Sequence, residues 1–164
     1  MATRTNRTLI PRKAFTLIEL IAVMVVLAIL AGVAAPRFFS YSDQARTAAL
    51  DGSLGGMRSA IAQYYAVQAS EDNPRYPTEV ELATVGEVMQ EELPKNPYNG
   101  LRNVRRIASV NDANNRAVSN PTSFGWNYYY NNASDPPVAI IWANSEDVTE
   151  AVDDNGDPLN ANEL

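Results

Sequence analysis

From Phe15 to Ala35 the chain runs for 21 residues with one charged side chain, Glu19, and one other polar side chain, Thr16. A helix rises about 1.5 Å per residue, so this run reaches roughly 30 Å, the thickness of a bilayer's hydrocarbon core. Pro36 and Arg37 close it. Upstream stand Arg4, Arg7, Arg12 and Lys13 with no acid among them. That asymmetry predicts a cytoplasmic N-terminus and places everything after Pro36 across the membrane. An ordinary secretory signal has an apolar core of only about 7–15 residues. Val33-Ala34-Ala35 resembles a signal cleavage site, but Pro36 follows it directly.

Glu19 is the odd residue. A carboxylate in an otherwise clean spanning helix costs a few kcal/mol unless it is paired or reaches the interface. One reading is a polar residue tolerated near the membrane surface. The other needs a positive partner. A free α-amino group at Phe15 lies one helical turn away on the same face. The amine of a neighbouring copy is an equal alternative. Either pairing requires a new N-terminus, made by a cut after Ala14.

The string Lys13-Ala14-Phe15-Thr16-Leu17-Ile18-Glu19-Leu20, with its basic leader, unbroken apolar run and terminal Pro36, resembles the leader junction of type IV pilins and the pseudopilins of type II secretion. The resemblance is strong from Arg12 to Phe39 and architectural beyond. It implies that a prepilin peptidase cuts between Ala14 and Phe15, that Phe15 is then N-methylated, and that Glu19 serves methylation and docking into a filament. The family usually carries Gly before the cut, where this chain has Ala14. The implied partners are other pilin-like subunits, the peptidase, an inner-membrane platform protein and an assembly ATPase. The implied location is the inner membrane, single-pass, with an extracytoplasmic head.

Composition narrows the choices. The chain has no Cys and no His, which excludes disulfides, thiolate or imidazole metal sites and histidine catalysis. Without the leader, 9 basic residues face 19 acidic ones, a net charge of −10. Nucleic-acid binding draws its affinity largely from Lys and Arg, so no nucleic-acid partner is expected. Many type IV pilins close a C-terminal loop with a disulfide. Its absence here, with the loose likeness of Pro94-Lys95-Asn96-Pro97-Tyr98 to a pseudopilin loop, points toward secretion pseudopilins.

Beyond the anchor, Leu50, Leu54, Met57, Ile61, Tyr64 and Val67 recur at steps of three and four and predict one apolar helix face. Pro36 is expected to kink or loosen this helix. Gly52, Gly55 and Gly56 are candidate packing or bending points. Thr78-Glu79-Val80-Glu81 spells a capping box, with a second helix expected to about Gln90. Three strands are expected, over 101–110, 124–130 and 138–143. In the second, Phe124, Trp126, Tyr128 and Tyr130 share a face. The fold class is therefore α+β: a long N-terminal helix, half membrane-spanning and half amphipathic, packed on a small antiparallel sheet as a pilin-like ladle. The divisions are a leader at 1–14, an assembly helix at 15–36, a head at 37–143 and an acidic tail at 144–164, which is expected to fray or lie on the surface.

Asp153, Asp154, Asn155 and Asp157 cluster oxygen ligands around Gly156, a pattern that suits calcium. The register fails the EF-hand template, because Ala151 falls at the first ligand position. Calcium near the C-terminal loop is what the pseudopilin resemblance implies; a solvated acidic tail is the plainer reading. Arg102, Arg105 and Arg106 form a short basic cluster, either solvated or paired with acids on a neighbouring subunit. The chain reads as a filament subunit without catalysis. A membrane-tethered binding module is the alternative from another class. An anchored enzyme would need Asp, Glu, Ser or Lys chemistry, and no such constellation stands out.

Overall fold

A computed structural model describes residues 15–164. The expected leader, with Ala14 of the scissile bond, lies outside the described residues. The chain divides into two compact units, one ending at Ser40 and one running from Tyr41 to Leu164. Helix α1, Leu17–Ser70, contributes to both, and its backbone stays helical through Pro36. The proline therefore does not end the element.

In the first unit α1 has no partner. Its large apolar side chains from Leu17 to Val33 are 48–75% exposed all round the helix. In the second unit the apolar positions collapse to one stripe. Leu50, Leu54, Met57 and Ile61 are at most 5% exposed. Each such burial is worth about 1.5–3 kcal/mol. The stripe ends there, because Tyr64 is half-buried and Val67 is exposed. Among the described residues, nothing lies within 4 Å of where a Cβ on Gly52, Gly55 or Gly56 would stand.

The sheet facing that stripe is mixed rather than antiparallel. Strand β1, Val104–Arg106, runs parallel to β2, Trp126–Asn131, which pairs antiparallel with β3, Val138–Ala143. The first strand is shorter than the 101–110 expected. Ser109 accepts a hydrogen bond from the Asp112 N–H and caps a short helix, α3, Val110–Asn114. A parallel pairing needs a crossover, and residues 107–125, with α3 among them, supply it.

Alternation sorts the strand residues onto two faces. Trp126, Tyr128, Ile141 and Ala143 join the α1 stripe, Leu82 and Leu93 in the main core. Tyr129, Trp142, Ile107 and Ala113 form a second cluster on the other face, with Ile140 packed against it. Both faces of the sheet are thus covered, one by α1 and one by the crossover.

The second helix, α2, is Glu79–Ala83 and stops well short of Gln90. Its capping box forms as spelled: the Glu81 N–H donates to Thr78 Oγ1, and the Thr78 N–H donates to Glu81 Oε2 at 2.8 Å. Thr84 ends it in an extended conformation, and Gly86 follows at φ 89°. Glu81 is also a junction. It accepts Arg75 Nη1 and Nη2 at 3.0 and 2.8 Å and the Tyr64 hydroxyl at 2.9 Å. Helix α1, the 71–77 loop and α2 meet on this one carboxylate. The Arg75 hydrogen bond first, then those of Thr78 and Tyr64, bring its pKa down to about 2 despite partial desolvation.

The segment after Ala143 is ordered into the head rather than frayed. Strands β4, Val148–Val152, and β5, Pro158–Asn160, form an antiparallel hairpin. Asn144, Ser145, Thr149 and Ala161 are buried. Thr47 of α1 receives the Glu150 N–H at 3.0 Å, which ties β4 to the helix.

Buried amides stitch the loops. Asn96 donates to the Gly125 carbonyl, and Asn144 to those of Ser119 and Phe124. Asn99 Nδ2 sits among the carbonyls of Pro121, Phe124 and Asn144 at 3.0–3.2 Å. Gly125 lies at the centre. A Cβ there would meet the Leu101 carbonyl oxygen at 2.1 Å. Backbone cannot yield as a flexible side chain can, so Gly125→Ala is expected to destabilise the head by about 3 kcal/mol, the upper end for overpacking. Gly52→Ala, in open helix, is expected to stabilise it by about 0.5–1 kcal/mol. Urea denaturation of the two variants tests the contrast.

Glu81 sets an acid limit. Its folded-state pKa is depressed from 4.5 to about 2, so its contribution is full above pH 4.5 and fades as pH falls toward 2. The wild-type melting temperature should drop through that window. In Glu81→Gln the drop should be smaller, from a lower starting value.

Candidate functional site

The distinctive chemistry of the chain lies where α1 begins. Phe15 is 89% exposed, and the helix takes hold at once, with the Leu20 N–H donating to the Thr16 carbonyl at 3.2 Å. Glu19 does not stand alone. Its Oε2 accepts the Thr16 N–H and the Thr16 hydroxyl, each at 2.9 Å. In return the Glu19 N–H donates to Thr16 Oγ1 at 3.3 Å. This is a reciprocal cap: threonine satisfies a free helix N–H, and glutamate reaches back to satisfy another. The carboxylate also lies at the positive end of the helix dipole.

Thr16 is the residue that sequence reasoning missed. The signal was present, because Thr16-x-x-Glu19 before an apolar run has the same spelling as the Thr78-x-x-Glu81 capping box. A neutral partner stands beside Glu19 where a positive one was expected. Thr16 reduces the cost of the acid without neutralising it, and Glu19 Oε1 has no donor among the described residues. One oxygen therefore holds the helix start, and the other is available to a cation.

The other singled-out residues lie apart from this site. Asp153, Asp154, Asn155 and Asp157 make the turn between β4 and β5. The Asp153 carboxylate accepts the backbone N–H groups of Asn155 and Asp157 at 2.8 and 2.9 Å. Those bonds, Asp157 first, hold its pKa below the usual carboxylate value. Among the described residues no three Asp or Glu side chains group closely enough to hold a metal ion. The basic cluster is used within the subunit. Arg102 pairs with Glu92, Arg105 donates to Ser119 Oγ and lies over Phe124, and Arg106 lies over the Tyr130 ring at 4.7 Å.

Residues 11–35 match the prokaryotic N-terminal methylation motif. Over 50 residues the chain is 48% identical to the Type IV narrow pilus major component PilA5 of Thermus thermophilus, covering 30% of this chain and 43% of that one. The chain thus matches less than half the length of this relative. No solved structure matches.

The cap makes its own prediction. Thr16→Val keeps the side-chain shape and removes the hydroxyl. It should weaken the start of α1 by about 1 kcal/mol, as loss of an N-cap does. Faster amide exchange at residues 17–20 in detergent micelles, with exchange in the head unchanged, is the expected result.

Proposed function

We propose that the chain, whose first helix carries the N-terminal segment of the type IV pilin and pseudopilin family, is a structural subunit of a type IV pilus-like filament. The observation that carries this is the all-round exposure of α1 from Leu17 to Val33, opened by a single capped acid. Such a helix needs a non-aqueous surround. Before assembly the lipid of the cytoplasmic membrane supplies it, with the basic leader inside and the head outside. In a fibre the same surface packs against its copies, so apolar area stays out of water throughout.

Prepilin peptidase cuts between Ala14 and Phe15 and methylates the new amine. That amine, on the same subunit or the next, answers the free oxygen of Glu19. A platform protein and an assembly ATPase then lift the subunit from the membrane. The chain performs no catalysis of its own.

Two kinds of filament fit. The cysteine-free head and the proline-rich 93–100 turn support a pseudopilus of type II secretion. The likeness to a narrow pilus component supports a surface pilus. Shearing cells and asking which fraction holds the chain separates them: a surface pilus is released, and a secretion pseudopilus is retained.

Mass spectrometry of the mature chain tests the shared reading. The expected product begins at Phe15 and carries one added methyl. An intact Met1, or a start at Pro36, overturns it.

A further inference from the structure

The chain holds two Asn-Gly pairs, Asn99-Gly100 and Asn155-Gly156. Such a pair can react with itself, because glycine has no Cβ to keep its backbone nitrogen away from the preceding side chain. By sequence the two pairs are equivalent. Their backbones match as well, with Gly100 at φ 73° and Gly156 at φ 89°. The Gly100 N–H donates to the Asn96 carbonyl at 2.8 Å, and the Gly156 N–H to the Asp153 carbonyl at 3.0 Å.

The asparagine side chains differ. Asn99 is half-buried, and its Nδ2 lies 3.0–3.2 Å from the carbonyls of Pro121, Phe124 and Asn144. Its Oδ1 accepts the Leu101 N–H at 3.1 Å. Turning this amide toward Gly100 breaks all of those bonds at once, and each one opposes the turn. Asn155 is exposed in the turn between β4 and β5. Its Nδ2 has one long bond, to Asp153 Oδ2 at 3.2 Å. Its Oδ1 has no donor among the described residues. This side chain gives up little by turning, and water reaches it.

We propose that Asn155 is a site of intramolecular deamidation and that the fold protects Asn99 from the same reaction. The Gly156 nitrogen attacks Asn155 Cγ. The N–Cγ bond forms, the Cγ–Nδ2 bond breaks, and the proton of the attacking nitrogen leaves with the side-chain nitrogen as ammonia. Water then opens the succinimide. Opening at Cγ leaves aspartate; opening at the main-chain carbonyl leaves isoaspartate, whose backbone is one CH₂ longer. One water is consumed and one ammonia released, with no change of oxidation state.

The change loosens the last hairpin in one direction only. The Asp153 N–H donates to the Asp157 carbonyl at 2.9 Å. Asp153 Oδ1 accepts the N–H groups of Asn155 and Asp157 at 2.8 and 2.9 Å. An extra backbone carbon after residue 155 disturbs that spacing. Either product also sets a new carboxylate beside Asp153, Asp154 and Asp157. None of this depends on the filament reading.

The test holds the full chain in non-ionic detergent micelles at mildly alkaline pH. Peptide mapping by mass spectrometry reads aspartate and isoaspartate at each position over time. In the folded chain, product should accumulate at 155 at least about tenfold faster than at 99. In urea the two rates should converge, because the protection of Asn99 is lost with the fold. Equal rates in the folded chain overturn the proposal, and so does a preference for 155 that persists undiminished in urea. No product at 155 over a period in which the unfolded chain converts overturns it too. In the isolated isoaspartate form, amide exchange at Asp153 and Asp157 should speed up while exchange in β2 stays the same. Unchanged exchange in the turn overturns the loosening.

Discussion

One helix has to live in two solvents. Along its first part α1 is apolar on every side, and its backbone hydrogen bonds close within the helix. Those are the two conditions for residing in lipid. Along its later part only the stripe through Leu50, Leu54, Met57 and Ile61 is apolar and buried, and most of the rest faces water. No described part of the chain covers the first surface, so its stability depends on lipid or on other subunits. The cap of Thr16 on Glu19 belongs to the same constraint. A charge at that position is tolerable only if protein donors replace the water it gives up, and Thr16 supplies two. The remaining charge is what leaves Glu19 suited to a second, external partner.

The head meets a different difficulty. It is small and has no disulfide to restrain its unfolded state. Its apolar core is concentrated in α1 and in the alternating residues of β2 and β3, while long loops carry much of the chain. Polar groups hold those loops. Glu81 collects Arg75, Thr78 and Tyr64, and the side-chain amides of Asn96, Asn99 and Asn144 donate to loop carbonyls. The network is incomplete at Asn127, whose Oδ1 is buried without a donor among the described residues. An unsatisfied buried acceptor costs about 1–3 kcal/mol. The Asn127 amide keeps two bonds, to the Ala117 carbonyl and to Asn144 Oδ1, which partly offset that cost.

Local rules were legible wherever one element decides its own conformation. The apolar length after Phe15, the Leu50–Ile61 stripe, the Thr78–Glu81 box and the 138–143 strand all follow from spacing that a single segment carries. Two misreadings share one cause. In Val104–Arg106 the direction of pairing depends on how the 107–125 crossover returns, and no local pattern states that. The segment after Ala143 is acidic and poor in apolar residues, so by composition it resembles a free tail. It is held by pairing between β4 and β5 and by Thr47 on a distant turn of α1.

By itself, then, the amino-acid order determined the long apolar run, the acid at its head and the face that α1 turns to the core. Each of these depends on interactions within a turn or two of one helix. Only the tertiary structure decided the mixed pairing of the sheet, the burial of both its faces and the docking of the last strands. Those arise from residues far apart in the chain, brought together by burial that no single segment accomplishes alone.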